Sequence, residues 1–310
     1  MTRVASIGEC MIEISETPEG GIARSYGGDT LNTAIYLARL GVAVDYVTAL
    51  GCDPWSQEML AAWRSEGVGT GLVVQCQGKL PGLYVIRTDA AGERQFYYWR
   101  NESPARLLME LSETPRIVAA LAGYGLVYIS GISLSLYGEA GRERLVDALR
   151  AAQKQGCRVA FDTNFRPRGW PDRELGKTAY RKLLAMADTV LASIEDLELL
   201  FGAGGERELP TGRATVEIVL KLTEPAARVF HQGASEVIRA QPVADVVDTT
   251  AAGDSFAAAY LAARLNGLAP AAAVRCGHRL AGEVVRHRGA IIPRSAMPAG
   301  VLTASEGIDG

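Results

Sequence analysis

The sequence predicts an open α/β fold, with a central, mainly parallel sheet flanked by helices on both faces and a small antiparallel β lid beside it. Three observations carry this. Short apolar runs alternate with longer stretches whose apolar residues recur every three or four positions. Alternating strand and helix is the pattern of a parallel sheet covered on both sides. One region, about 83–99, breaks the rhythm with two consecutive strand-like runs.

In chain order, Val4–Ile7, Val44–Leu50, Leu126–Ile129, Arg158–Phe161, Thr189–Leu191 and Val216–Leu220 read as strands. Thr30–Leu40, Pro54–Ser65, Arg142–Lys154, Arg173–Met186, Asp254–Leu265 and Pro270–Arg286 read as helices. Glu9–Ser15 is a further extended piece beside a glycine-rich stretch. The runs LYVIRTD and RQFYYW are joined by Ala90-Ala91-Gly92, a hairpin-like connection. Together, residues of about 9–26 and 80–101 are expected to form the lid within a single domain spanning 1–310. There is no internal repeat, low-complexity tract or long linker, and only the tail after Met297 looks loose.

Composition narrows the function classes. The 310 residues are 48% hydrophobic and 22% charged, which is ordinary for a globular chain and argues against disorder. A net charge of −3 gives no basic face for nucleic acid. Five cysteines at wide spacings, with no CxxC, read as buried, reduced thiols. Cys276 and His278 lie close together, but two groups do not make a zinc site. No run reaches the ~18–20 apolar residues of a membrane span. The start, RVASIGECMIEIS, lacks the basic and apolar regions of an export signal, so the cytoplasm is the expected location.

The strongest chemical signal is the string from Val247 to Phe256, VDTTAAGDSF, leading into the helix AAGDSFAAAYLAARL. A helix start carries unpaired N–H groups and partial positive charge, and so can hold an anion such as phosphate. Ala251, Ala252 and Gly253 have no bulk to block a close approach. Asp254, in the first turn, is placed to take a proton from an attacking hydroxyl. Alone, Asp254 or Ser255 reads equally as a helix cap; the whole ten-residue string favours the chemical reading. The second signal is GGDTLNTA, from Gly27 to Ala34, where paired glycines admit a ligand to the backbone and Asn32 could bond a hydroxyl. A glycine turn with a Thr or Asp cap explains the same residues. The third is FDTNFR, from Phe161 to Arg166, at a strand's carboxyl end, where ligands of open α/β sheets bind. Arg166 would offer a carboxylate or phosphate a bidentate fork. The fourth is YYWRN on the lid, where alternation puts Tyr98 and Arg100 on one face. A surface arginine and a satellite aromatic cluster are the plain alternatives. GxxxxGK[ST], GxGxxG, GxSxG and HExxH are all absent.

At these residues the chain resembles the ribokinase-like carbohydrate kinases, the PfkB superfamily, over almost its whole length. The family's glycine signature is matched by GGDTLNTAIYLARLG, and its late signature DTTGAGDSF by DTTAAGDSF. The strings GECMIEISE, PGLYVIRTD, AAGERQFYYWRNESPAR, SGISL, FDTNFRPRGW and RGAIIPRSAMP are most similar to the members that act on 2-keto-3-deoxygluconate. The resemblance implies ATP-dependent phosphorylation of that sugar acid to its 6-phosphate, in sugar-acid catabolism of the Entner–Doudoroff type. It makes Asp254 the catalytic base and the Ala251, Ala252 and Gly253 amides an anion hole. It has Gly28, Asn32, Tyr84, Tyr98, Arg100 and Arg166 contact the sugar acid, with Ile132 lining its pocket and Glu13 near a hydroxyl. ATP would lie near Ser193, Lys221, Thr223, Gly253 and Gly277. Asp196 would hold Mg2+ through water, and Asp248 is a candidate for a monovalent cation such as K+. The expected partners are small molecules, with neither nucleic acid nor membrane involved. Exposed lid edges point to a homo-oligomer.

Three departures from the family pattern stand out. The first glycine of GAGD is Ala251, which must suit a backbone that tolerates a Cβ. The NxxE motif appears as Ser193-Ile194-Glu195-Asp196, with a shorter carboxylate. The glycine-bearing nucleotide loop is replaced by KLTEPA, from Lys221 to Ala226. Two competing functions stay open. One is a fructokinase or other neutral-sugar kinase, which would leave Arg100 and Arg166 without their main partner. The other is a non-catalytic sugar-binding homologue, against which the retained Asp254 string argues.

Overall fold

A computed structural model describes residues 2–16, 20–88 and 94–303. β1 (Val4–Ile7), β2 (Met11–Glu16) and β3 (Ile22–Gly27) precede α1 (Asp29–Arg39). β4 (Val44–Gly51), α2 (Pro54–Ser65), β5 (Gly69–Cys76), β6 (Leu83–Thr88) and β7 (Arg94–Trp99) follow. Next come α3 (Thr114–Leu121), β8 (Leu126–Ser130), α4 (Gly131–Leu136), α5 (Glu139–Lys154), β9 (Arg158–Asp162) and α6 (Arg173–Met186). The last third holds β10 (Thr189–Ser193), α7 (Ile194–Phe201), β11 (Glu217–Lys221), β12 (Ala226–His231), β13 (Ala234–Arg239), α8 (Ala252–Leu265) and α9 (Pro270–Val284).

Nine strands form one sheet in the order β13-β12-β11-β10-β9-β8-β1-β4-β5. Neighbours from β5 to β11 run parallel, while β12 and β13 close one edge antiparallel. β1 and β8 are buried at every position. Helices cover both faces, so no residue of these strands needs to meet water, and each reads as an unbroken apolar run. Alternate side chains feed two cores. Phe161 and Val190 join Leu145, Leu183 and Leu197 of α5, α6 and α7 on one face. Ala160 and Leu191 join Leu37, Tyr260 and Leu280 of α1, α8 and α9 on the other. The carboxyl ends of β1, β8, β9, β10 and β11 therefore share one rim.

The second sheet has the order β3-β2-β6-β7. Two antiparallel hairpins, β2–β3 and β6–β7, are joined by a parallel β2–β6 pair. It stands apart from the main sheet, as the break in rhythm predicts. The expected connection at Ala90-Ala91-Gly92 lies outside the described residues.

Some expectations need correction. β3, β5, β12, β13, α3, α4 and α7 were not legible as elements; β13, for instance, is mostly exposed and reads as a charged surface segment. Cys10, Cys157 and Cys276 are buried, but Cys52 is exposed and Cys76 half-buried; all five thiols are free. The tail is not loose immediately after Met297, because Val301 packs into the core; residues 304–310 lie outside the described residues. Among the described residues no helix is long and apolar enough to cross a membrane.

Candidate active site

The rim where the parallel strands end is also where α8 begins. Its N-cap is Ala251, which has no side chain to close the helix start, unlike Asp53, Asp172 and Ser193 at the starts of α2, α6 and α7. Ala251 adopts φ 60° and ψ 14°, the left-handed conformation a glycine would take freely. A Cβ there costs about 1 kcal/mol. The expected tolerant backbone is thus not found, and the alanine occupies the glycine conformation itself. The Ala252 amide, expected to face an anion, instead closes a turn onto the Thr249 carbonyl at 3.2 Å. Gly253 remains at the open helix start, and Lys221 Nζ lies 3.6 Å from where a Cβ on Gly253 would stand.

Asp254 is held from the side. Asn32, one turn into α1, donates from Nδ2 to Asp254 Oδ2 at 2.9 Å. Thr33 Oγ1 lies within 3.3 Å of the Asp254 carbonyl and 3.1 Å of the Asp29 carbonyl, so the starts of α1 and α8 are stitched together. Asn32 Oδ1 is buried without a partner among the described residues. A buried acceptor of this kind is costly unless something donates to it, and it sits beside the carboxylate expected to receive a hydroxyl proton.

Asp29 and Asp162 both act on Asp254, and Asp196 adjoins Asp162. Asp29 accepts from Asn164 Nδ2 at 2.8 Å. Asp162 lies 3.6 Å from Lys221 Nζ and accepts from the Asn164 amide at 3.2 Å. Asp196 accepts from Thr163 Oγ1 at 2.9 Å and faces Arg166 Nη1 at 3.4 Å. Asn164 has φ 23°, a positive value that asparagine tolerates better than most residues. Burial and the nearby Asp29 charge push the Asp254 carboxyl up to about 7, against the opposing pull of Asn32 and Lys221. Burial raises Asp162 to about 6, with Lys221 opposing. Asp29 is also raised by burial, while Ser130, Arg166 and Asn164 favour its charged form. A carboxylate poised near neutrality is matched to proton abstraction at physiological pH.

The small sheet supplies the other wall. Tyr84 donates its hydroxyl to Glu13 Oε2, and Ser25 Oγ donates to Glu13 Oε1 at 2.8 Å. The Tyr84 and Tyr98 rings are 5.8 Å apart, and Phe96 stacks on Tyr98 at 6.4 Å. These side chains therefore share one face. Arg100 is not waiting with an empty fork: its Nη2 forms an ion pair with the buried Glu9, and its Nε is buried without a partner among the described residues. Arg166 is 60% exposed and, among the described residues, donates to the Phe165 carbonyl at 2.8 Å and faces Asp196. Gly28 starts α1 where a Cβ would stand 2.2 Å from the Glu9 carbonyl, so glycine lets the helix start press against the β1–β2 loop.

The remaining expected residues are more dispersed. Ile132 is half-buried in α4, immediately after β8. Ser193 caps α7 through the Asp196 amide at 3.1 Å. Thr223 is exposed in the turn between β11 and β12. Gly277 is buried, and a Cβ there would stand 2.7 Å from the Phe256 ring, so what its small size visibly serves is the packing of α9 on α8. Asp248 accepts from the Thr250 amide at 2.9 Å and the Gly289 amide at 2.9 Å, tying the approach to α8 to the loop after α9. Asp29, Asp162 and Asn164 were missed as site residues. They lay inside the quoted motifs GGDTLN and FDTNFR, and an aspartate at the end of an apolar strand was the available signal. Among the described residues no group of three or more His, Cys, Asp or Glu is placed to hold a metal ion.

The chain is similar to known proteins over nearly its whole length. The family model described as "pfkB family carbohydrate kinase" matches residues 1–297. The chain is 45% identical to a 2-dehydro-3-deoxygluconokinase of Dickeya dadantii (strain 3937), covering 96% of this chain and 98% of that protein. It is 43% identical to the 2-dehydro-3-deoxygluconokinase of Escherichia coli (strain K12), covering 96% and 99%. Among solved structures, a fructokinase with bound ATP from Xylella fastidiosa superposes with a TM-score of 0.81 at 25% identity, covering 97% of each chain. With the family signature matched over nearly the whole chain and the parallel sheet, small second sheet and Asp254 helix start all in place, this protein belongs to the pfkB family of carbohydrate kinases.

Proposed function

We propose that this protein transfers the γ-phosphate of ATP to the terminal hydroxyl of 2-keto-3-deoxygluconate, the sugar acid also called 2-dehydro-3-deoxygluconate. The observation that carries the reading is the placement of Asp254: at an uncapped helix start, fixed by Asn32, beside Lys221, and raised to about 7. Phosphoryl transfer needs little covalent help from the protein, because positioning and charge stabilisation dominate. Asp254 takes the proton of the attacking hydroxyl. Lys221 and the open start of α8 at Gly253 meet the charge on the transferring phosphoryl group. The small sheet acts as a lid that excludes water from the sugar side. The substrate is supported by relatives at 37–45% identity that are named for this sugar acid. The bound ATP of the Xylella fastidiosa neighbour supports the nucleotide.

ATP enters as its magnesium complex. Mg2+ usually keeps several waters and is held through one or two carboxylates plus phosphates rather than an all-protein cage. Asp196, oriented by Thr163, would receive the ion's water.

A coupled ADP-release assay across sugar acids and neutral sugars tests the reading. The expected result is the highest kcat/KM on 2-keto-3-deoxygluconate. A kcat/KM on fructose that equals or exceeds it would place the protein with the neutral-sugar kinases.

A further inference from the structure

The loop after β9 does two jobs with two arginines, and only the first, Arg166, points toward the carboxylate cluster. Arg168 turns the other way. Its Nη1 donates to the Phe96 carbonyl of β7 at 2.6 Å, and its guanidinium carbon lies 5.9 Å from the Tyr98 ring centroid. We propose that Arg168 is a positioning residue that latches the lid strand β7 to the core and so holds Tyr98 over the sugar. The proposal rests on the sugar-acid kinase reading above.

Several features make Arg168 suited to this. The loop is stiff: Pro167 fixes its first dihedral, and the Gly169 and Trp170 amides return to the Arg166 and Pro167 carbonyls at 2.9 and 3.0 Å. Trp170 is buried against Tyr180 and anchors the loop to α6. A Cβ on Gly169 would stand 2.6 Å from Ser135 Oγ, so the loop also presses on α4. β7 is the outermost strand of its sheet, and an edge strand carries carbonyls that no neighbouring strand satisfies. The latch uses one of them.

β7 pairs with β6 along its length, and beyond that pairing its two ties outside the small sheet differ in kind. At its root, Arg100 pairs with Glu9, whose side chain is 1% exposed, and such a charge pair is costly to separate. At its middle, Arg168 is exposed and both of its partners are uncharged, so this contact can break and re-form in water. With one firm tie and one breakable tie, the β6–β7 hairpin can move as a unit, opening for the sugar and closing over it. Arg166 sits two residues away in the same stiff loop, so a sugar bound at Arg166 and a closed β7 would favour each other.

Hydrogen exchange of the peptide spanning 94–99, measured on the free protein, tests the latch without reference to any sugar. Arg168→Ala is expected to speed exchange there about ten-fold, the order for losing one charge-assisted hydrogen bond and one exposed cation–π contact. In the coupled assay its KM for 2-keto-3-deoxygluconate should rise by a similar factor, with the KM for ATP and the melting temperature unchanged. Arg168→Lys, which keeps a cation and a donor, should recover most of both effects. Unchanged exchange of 94–99 in Arg168→Ala, or a KM for ATP that rises as much as that for the sugar, would overturn the proposal. A faster-exchanging β7 in a protein with no sugar-acid activity would sustain the latch and overturn the substrate instead.

Discussion

The proposed phosphate end and the proposed sugar end of this site are built differently. At the phosphate end, Asp254, Asp162 and Lys221 stand on strand ends and a helix start of a sheet buried on both faces. Asp254 and Asp162 are buried there, and burial raises both carboxyls. At the sugar end, Tyr84, Tyr98 and Glu13 stand on a four-stranded sheet that meets water, and Tyr98 is 43% exposed. The contacts there are ring packing and hydrogen bonds to Glu13, with the buried Arg100–Glu9 pair at the root of β7. On the proposed reading, the proton chemistry belongs to the buried end and the contacts to the sugar belong to the more exposed sheet.

Breaking the phosphate end should cost most. Asp254→Asn keeps shape and hydrogen bonding but removes the base, and kcat should fall by roughly 10²–10⁴-fold, with the KM for the sugar changing far less. Steady-state kinetics on both substrates decides this, and near-normal turnover would put the base elsewhere. The next effect belongs to the seam between the two ends. Arg166→Ala removes a fork exposed to a ligand carboxylate, and a charge-assisted contact of that kind is worth roughly 10–150-fold in affinity. The kcat/KM for 2-keto-3-deoxygluconate should drop by that order, while weak activity on fructose suffers much less. Equal losses on the two sugars would show that Arg166 does not read the carboxylate.

The same contrast explains what the sequence made legible. β1, β8 and β9 were visible because a strand buried on both faces is an unbroken apolar run, and α2 because Asp53-Pro54 is a strong helix start. β13 was not, since an exposed edge strand looks like a polar surface segment. Asp254 was legible because its whole ten-residue string is distinctive. Asp29 and Asp162 were not, because their meaning is spatial: they come from positions 29 and 162, and only the crossovers of the parallel sheet bring them near residue 254. The pairing of Arg100 with Glu9 spans 91 residues and leaves no local trace either. What sequence motifs announce is chemistry carried by consecutive residues; what they hide is charge brought together by topology.

The central claim is that Asp254 is the base because burial and the Asp29 charge hold its carboxyl near neutrality. Its raised pKa makes the sign definite: the base is protonated, and inactive, as pH falls through that value. The pH dependence of kcat/KM for the sugar should therefore show an acid limb near pH 7 in the wild-type protein rather than near the ordinary carboxylate value of about 4. Asp29→Asn removes the like charge without removing the base, so the limb should move to lower pH in that variant. Acid limbs that coincide in the two proteins would contradict the account.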